Sequence, residues 1–127
     1  MASSHKQILI IEDSAPIAML QKALLEKAGY TVEHAETGLG GLESATLIKP
    51  AAVVLDLTLP DTDGITVLKA LRGMPAEIRP EVIVLSADDG SAMKAGAIDA
   101  GAFGFMLKPF RHEEYLRMVA ASCTVEG

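Results

Sequence analysis

The sequence predicts an α/β domain built on a doubly wound, five-stranded parallel sheet. Apolar runs without polar alternation recur at Ile8–Ile11, Val53–Leu55 and Val82–Leu85, as expected for strands covered on both faces. A segment of helical period follows each strand, and the alternation runs five times, which places helices on both sides of a parallel sheet. The length of 127 residues, half of them hydrophobic, suits one compact domain with a substantial core.

Gln7–Ile11 is the first strand and runs straight into Glu12-Asp13. A helix over Ala15–Ala28 follows, with Asp13 or Ser14 as its N-cap and Pro16 in its first turn. Ile17, Leu20, Leu24 and Ala28 form the stripe expected to face the sheet, and Gly29 ends the helix. Tyr30–Ala35 alternates like an edge strand, with His34 read as a surface residue. Gly38–Ile48 is the second helix, with Leu42, Ala45 and Ile48 inward; Gly40 and Gly41 weaken its start. The central strand begins near Ala52 and ends in a carboxylate, Asp56, just before the turn chemistry of Pro60, Asp61, Asp63 and Gly64. Gly64–Arg72 is the third helix, on Ile65, Leu68 and Leu71, and a loop through Pro75 and Pro80 leads to the strand Glu81–Ser86. After a turn at Ala87–Gly90, Ser91–Ala100 is an alanine-rich helix closed by Gly101. Phe103–Leu107 is the last strand, followed by Lys108-Pro109-Phe110 and a helix over Arg111–Ala121 with Leu116 and Val119 inward.

In a doubly wound sheet the C-terminal strand ends open on one edge, where such folds carry their ligands. Here they deliver Glu12 and Asp13, then Asp56, then Ser86, then Lys108. Each alone has a dull explanation as a cap, a turn residue or a solvated charge. Four polar strand ends together point to a shared site. Clustered carboxylates raise one another's pKa unless a cation sits among them. Mg2+ suits: it takes oxygen ligands and tolerates one or two carboxylates plus a phosphate. The metal and Lys108 together would neutralise an incoming phosphoryl group, Ser86 would hydrogen-bond one of its oxygens, and a carboxylate would be the nucleophile. No glycine-rich phosphate loop follows any strand, and Glu12-Asp13 would repel a nucleotide phosphate.

With these residues in place, the chain resembles, over essentially its whole length, a receiver domain of the two-component response-regulator family. The matching features are Glu12-Asp13, Asp56, Ser86 and Lys108-Pro109-Phe110 after successive strands, with Leu59-Pro60-Asp61 and Gly64. The resemblance implies the flavodoxin-like (βα)5 receiver fold of the chemotaxis regulators. It implies that Asp56 accepts a phosphoryl group from a phosphohistidine donor, becoming an aspartyl phosphate. Asp13, Asp56 and the backbone carbonyl of Thr58 would ligate Mg2+, and Glu12 would act through a bound water. Lys108 would pair with the phosphoryl group, and the Lys108–Pro109 bond would be cis. Ser86 and Phe105 occupy the switch positions, and plain core packing is the bland alternative for Phe105. The resemblance makes this a signalling domain, not an enzyme, that catalyses only its own phosphorylation and dephosphorylation.

A phosphorylation-independent interaction module on the same fold is an alternative, although such modules usually lack one of the acids or the lysine. A haloacid-dehalogenase-like phosphatase would carry a second Asp where Thr58 stands. The expected partners are a histidine kinase or histidine phosphotransfer protein and a downstream protein that the sequence does not identify. Ala15, Ala18 and Met19, beside Lys22, are expected to face that phosphodonor partner on the first helix.

The net charge of −6 makes nucleic acid and anionic membrane poor candidate surfaces. The single cysteine, Cys123, excludes an internal disulfide and reads as a bystander. No apolar run reaches transmembrane length, so a cytoplasmic monomer is expected. Only Ser122–Gly127 follow the last helix, so residues 1–127 are expected to form a single domain, with a core of about 6–122 and no output domain.

Overall fold

Strands and helices alternate along the chain in the computed structural model, which describes residues 6–87 and 90–124. Asp88 and Asp89 of the expected turn lie outside the described residues, as do Met1–His5 and Val125–Gly127. The elements are β1 (Gln7–Ile11), α1 (Ala15–Lys27), β2 (Thr31–Ala35), α2 (Gly38–Ile48), β3 (Ala52–Asp56), α3 (Gly64–Arg72), β4 (Glu81–Ser86), α4 (Ser91–Asp99), β5 (Gly104–Leu107) and α5 (His112–Cys123). The five strands form one sheet in the order β2-β1-β3-β4-β5, and every neighbouring pair is parallel. This is the flavodoxin-like arrangement, with β3 at the centre.

The unbroken apolar runs have the cause expected of them: β3 is buried along its whole length. Successive side chains point to opposite faces, and each face has its own core. Leu9, Ile11, Val53 and Leu55 pack with Val67, Leu68 and Leu71 of α3, Ala45 of α2 and Ala97 of α4. Ile8, Ile10, Val54 and Leu85 pack with Leu25 of α1 and with Tyr115 and Val119 of α5. Gly29 and Gly101 have φ values of +101° and +103° just past α1 and α4, the left-handed conformation that ends a helix most readily on glycine.

The buried stripe of α1 differs from the expected one. Ala18, Gln21 and Leu25 are the buried residues of this helix, while Leu20 is 40% exposed and Ala28 is exposed. The helix is thus rolled by about one residue, roughly 100°, from the phase that apolar residues alone suggest. The reason lies on α5. The Tyr115 hydroxyl donates to Gln21 Oε1 at 2.7 Å, which gives the buried amide oxygen a partner and turns Gln21 inward in place of Leu20. Phe110 stacks on the Tyr115 ring with centroids 4.7 Å apart. Burial then pushes the Tyr115 phenol pKa far above its ordinary value. Ala18 is therefore a core residue and not part of an exposed face, whereas Ala15, Met19 and Lys22 are exposed.

Candidate metal and phosphoryl site

The site is assembled from strand ends and the turns that leave them. β1 stops at Ile11 because the next two residues are acids. Glu12 is still held to the sheet, its N–H donating to the Ala35 carbonyl at 3.0 Å, and it is 1% exposed. Asp13 is exposed beside it. Ser14 then caps α1, its hydroxyl accepting from the Ile17 N–H at 3.5 Å. Asp56 is the last residue of β3 and is 3% exposed. The three carboxylates of Glu12, Asp13 and Asp56 each bring an oxygen within 4.8 Å of the others.

Lys108 leaves β5 through a cis peptide to Pro109. Its Nζ lies 3.2 Å from Glu12 Oε1 and 3.3 Å from Asp56 Oδ2. Its backbone N–H donates to the Ser86 carbonyl at 2.9 Å, which fixes the lysine to the end of β4. Ser86 is itself buried there. Thr58 sits two residues past Asp56, and its N–H donates to Asp56 Oδ1 at 3.1 Å. Phe105 is half-buried on β5 and packs on the core facing α2, α3 and α4.

Burial, the Asp56 carboxylate and a hydrogen bond with it push the Glu12 carboxyl up. Lys108 and the Ser14 N–H, which reaches Glu12 Oε2 at 3.2 Å, pull it the other way. Glu12 Oε1 is buried and receives no well-directed hydrogen bond among the described residues, although the ammonium is near. When all are ionised, three carboxylates face one ammonium, and two negative charges stay uncompensated. The donors are all hard oxygens. Chemistry and charge both fit a divalent cation of the Mg2+ kind, which would offset the surplus negative charge of the cluster.

Two side-chain-to-backbone contacts leave no signal in residue types or spacing. Asp61 was read as a turn former; its Oδ1 accepts from Gly38 N–H at 2.8 Å and its Oδ2 from Leu39 N–H at 3.0 Å. It thus caps the first turn of α2 from another loop, and these backbone bonds hold its carboxyl below the ordinary range. His34, expected at the surface, is half-buried, and its Nε2 lies 2.7 Å from the Glu12 carbonyl. Gly64 was legible as a turn glycine, but its role is space: a Cβ there would strike the Leu57 backbone.

A family profile described as the response regulator receiver domain matches residues 8–120. The transcriptional regulatory protein KdpE of Mycobacterium tuberculosis is 42% identical over 115 residues, covering 91% of this chain and 50% of KdpE. The chemotaxis protein CheY of Bacillus subtilis is 37% identical over 114 residues, covering 89% of this chain and 93% of CheY. The chain therefore spans half the length of the KdpE relative and nearly all of CheY. Among solved structures, the chemotaxis protein CheY4 of Vibrio cholerae superposes with a TM-score of 0.86 at 25% identity, covering 93% of this chain and 98% of that one. The BeF3-activated N-terminal receiver domain of Klebsiella pneumoniae RstA superposes with a TM-score of 0.87 at 25% identity, covering 94% and 99%.

Proposed function

The chain belongs to the response regulator receiver domain family, a family of signalling domains, and on that premise we propose that it carries signal as an aspartyl phosphate on Asp56. The observation that carries the reading is the Lys108 ammonium 3.3 Å from Asp56 Oδ2, at a buried strand end that two further acids share. The donor is a phosphohistidine on a histidine kinase or phosphotransfer protein. An Asp56 oxygen attacks the phosphorus, the P–N bond breaks, and the imidazole leaves with the electron pair. Asp13, Asp56 and the Thr58 carbonyl hold Mg2+, with Glu12 acting through water. When bound, the metal neutralises charge on the phosphoryl oxygens.

Lys108 holds the phosphoryl group as a second cation. It is already paired with Asp56 and needs only to follow the new charge outward. Ser86 donates its hydroxyl to a phosphoryl oxygen, and Phe105 turns with it, altering the surface of α4, β5 and α5. The shift can be no larger than the phosphoryl group's preference for one state over the other. A phosphodonor partner lies against Ala15, Met19 and Lys22 of α1. The RstA receiver domain, of the same fold, is described as BeF3-activated, which supports activation of such a domain by a phosphoryl-like group. Among the described residues no helix is long and apolar enough to cross a membrane, and we place the domain in the cytoplasm on family grounds.

The test is phosphorylation by acetyl phosphate or phosphoramidate with MgCl2, read by intact-protein mass spectrometry. One phosphoryl group is expected on the wild type and none on Asp56→Asn, since an amide is not a competent nucleophile. Equal labelling of both proteins would refute the assignment, and no labelling of either would favour a phosphorylation-independent module.

A further inference from the structure

The β1–β2 ladder ends with Ile11 opposite Ala35. One more bond, Glu12 N–H to the Ala35 carbonyl at 3.0 Å, carries the pairing a step further. Glu36 and Thr37 then turn away, and Thr37 becomes the N-cap of α2. The carbonyl of Glu12 is therefore past the last paired residue of the sheet. It is met there by the imidazole of His34, at 2.7 Å from Nε2. A carbonyl oxygen only accepts, so Nε2 carries the hydrogen.

We propose that His34 is a positioning residue for the divalent cation, acting by pinning the peptide between Glu12 and Asp13. This inference rests on the metal-site reading above. The Glu12 carbonyl and the Asp13 N–H belong to one rigid plane. Rotation of that plane would swing the Asp13 carboxylate relative to Glu12 and Asp56, whose backbones are held by the sheet. The Ala35 carbonyl fixes the near side of Glu12, and His34 fixes the far side. The Asp13 carboxylate then stays beside Asp56 and Glu12, where their oxygens lie within 4.8 Å of one another and would hold a divalent cation. Partners that orient ligands without touching the metal commonly control its affinity.

MgCl2 is titrated into metal-free wild type, Asp13→Ala, His34→Phe and His34→Gln, and each protein is also melted in excess EDTA. Phenylalanine keeps a flat ring and removes the donor, while glutamine restores an N–H donor. The inference expects the Mg2+ Kd to rise about tenfold in His34→Phe, the low end of outer-shell effects, and to recover in His34→Gln. A merely structural histidine would lower the melting temperature in EDTA and leave Kd alone, and that result overturns the proposal. Wild type that fails to bind Mg2+, or Asp13→Ala that binds it equally well, overturns the metal-site reading and this inference together. An unchanged Kd in His34→Phe alone overturns only the inference. Should His34→Phe not fold, the wild type decides: its imidazole 15N spectrum must show the Nε2–H tautomer and must shift with MgCl2 along the same binding curve. An Nδ1–H tautomer, or ring signals indifferent to Mg2+, sinks the proposal.

Discussion

Replacing Gly64 by alanine tests whether the loop after β3 is set by close packing. The φ of Gly64 is not among the positive ones, so conformational freedom does not explain the residue. Space does. A Cβ at this position would lie 2.5 Å from Leu57 Cα, 2.6 Å from Leu57 O and 2.9 Å from Leu57 C. Carbon atoms pack at about 3.5 Å, so the two backbone segments must separate by about 1 Å. Both are main chain, and no side chain can rotate away to absorb the move. Overpacking of this kind costs about 1–3 kcal/mol. The restricted unfolded chain returns about 0.4–1 kcal/mol of that, leaving a net loss on the order of 1 kcal/mol. For a domain of this size that is a drop of about 4 °C in Tm. Leu57 lies between Asp56 and Thr58, so the same displacement lengthens the 3.1 Å bond from Thr58 N–H to Asp56 Oδ1. A misplacement of about 1 Å at reacting groups can lower a rate by about 100-fold. Urea denaturation and the phosphoramidate reaction, followed on the same preparation, give both quantities. A Gly64→Ala protein with wild-type stability and wild-type labelling rate would refute the close-approach argument.

Three further outcomes are expected. Tyr115→Phe should lose about 1–3 kcal/mol, the range for stranding a buried polar group, because it removes the 2.7 Å bond to Gln21; urea midpoints check this, and labelling at Asp56 should persist. Glu12 should give a pH dependence of defined sign. Its folded carboxyl is raised above 4.5, so the folded protein binds the proton more tightly than the unfolded chain. Its contribution to metal-free stability is therefore greatest below pH 4.5 and falls as pH rises through the raised value. The difference in stability between wild type and Glu12→Gln should follow that curve in EDTA; a difference that is flat or rises with pH would contradict it. Met19→Glu, at a side chain 70% exposed on α1, should slow phosphotransfer from the cognate donor and spare labelling by small phosphodonors, and equal slowing of both would point to a folding defect.

Strand runs are legible in this sequence because a strand buried on both faces has no polar alternation to confuse the reading. β3 and β4 lie where the apolar runs placed them. The acids and the lysine were legible for a related reason: a charge directly after such a run has nowhere to go but the sheet edge. α1 was misphased because its stripe is completed by Gln21, whose partner Tyr115 is 94 residues away. Nothing local marks that glutamine as buried. His34 and Asp61 were missed for the opposite reason, since each acts on a backbone group. An imidazole on a carbonyl and a carboxylate on two helix N–H groups leave no pattern in residue types or spacing. Gly41 is similar: it looked like a weak helix start, yet a Cβ there would run into the Ile11 side chain, so the glycine is what lets α2 lie close to β1.

Two helices on the same face of the sheet are held with very different grips. α3 buries Gly64, Val67, Leu68 and Leu71, whereas α4 buries Ala97 alone and leaves Ile98 46% exposed. α4 also carries Gly96 in its interior, where a Cβ would touch nothing within 4 Å, and an interior glycine costs a helix about 1 kcal/mol against alanine. Opening free energies within one domain range from near zero to the global value, and α4 belongs at the low end of that scale. Its amides should exchange with solvent through local opening while those of β3 wait for global unfolding. The helix can thus be shifted, tilted or briefly melted for a small fraction of the stability that keeps the sheet and its strand-end carboxylates in register.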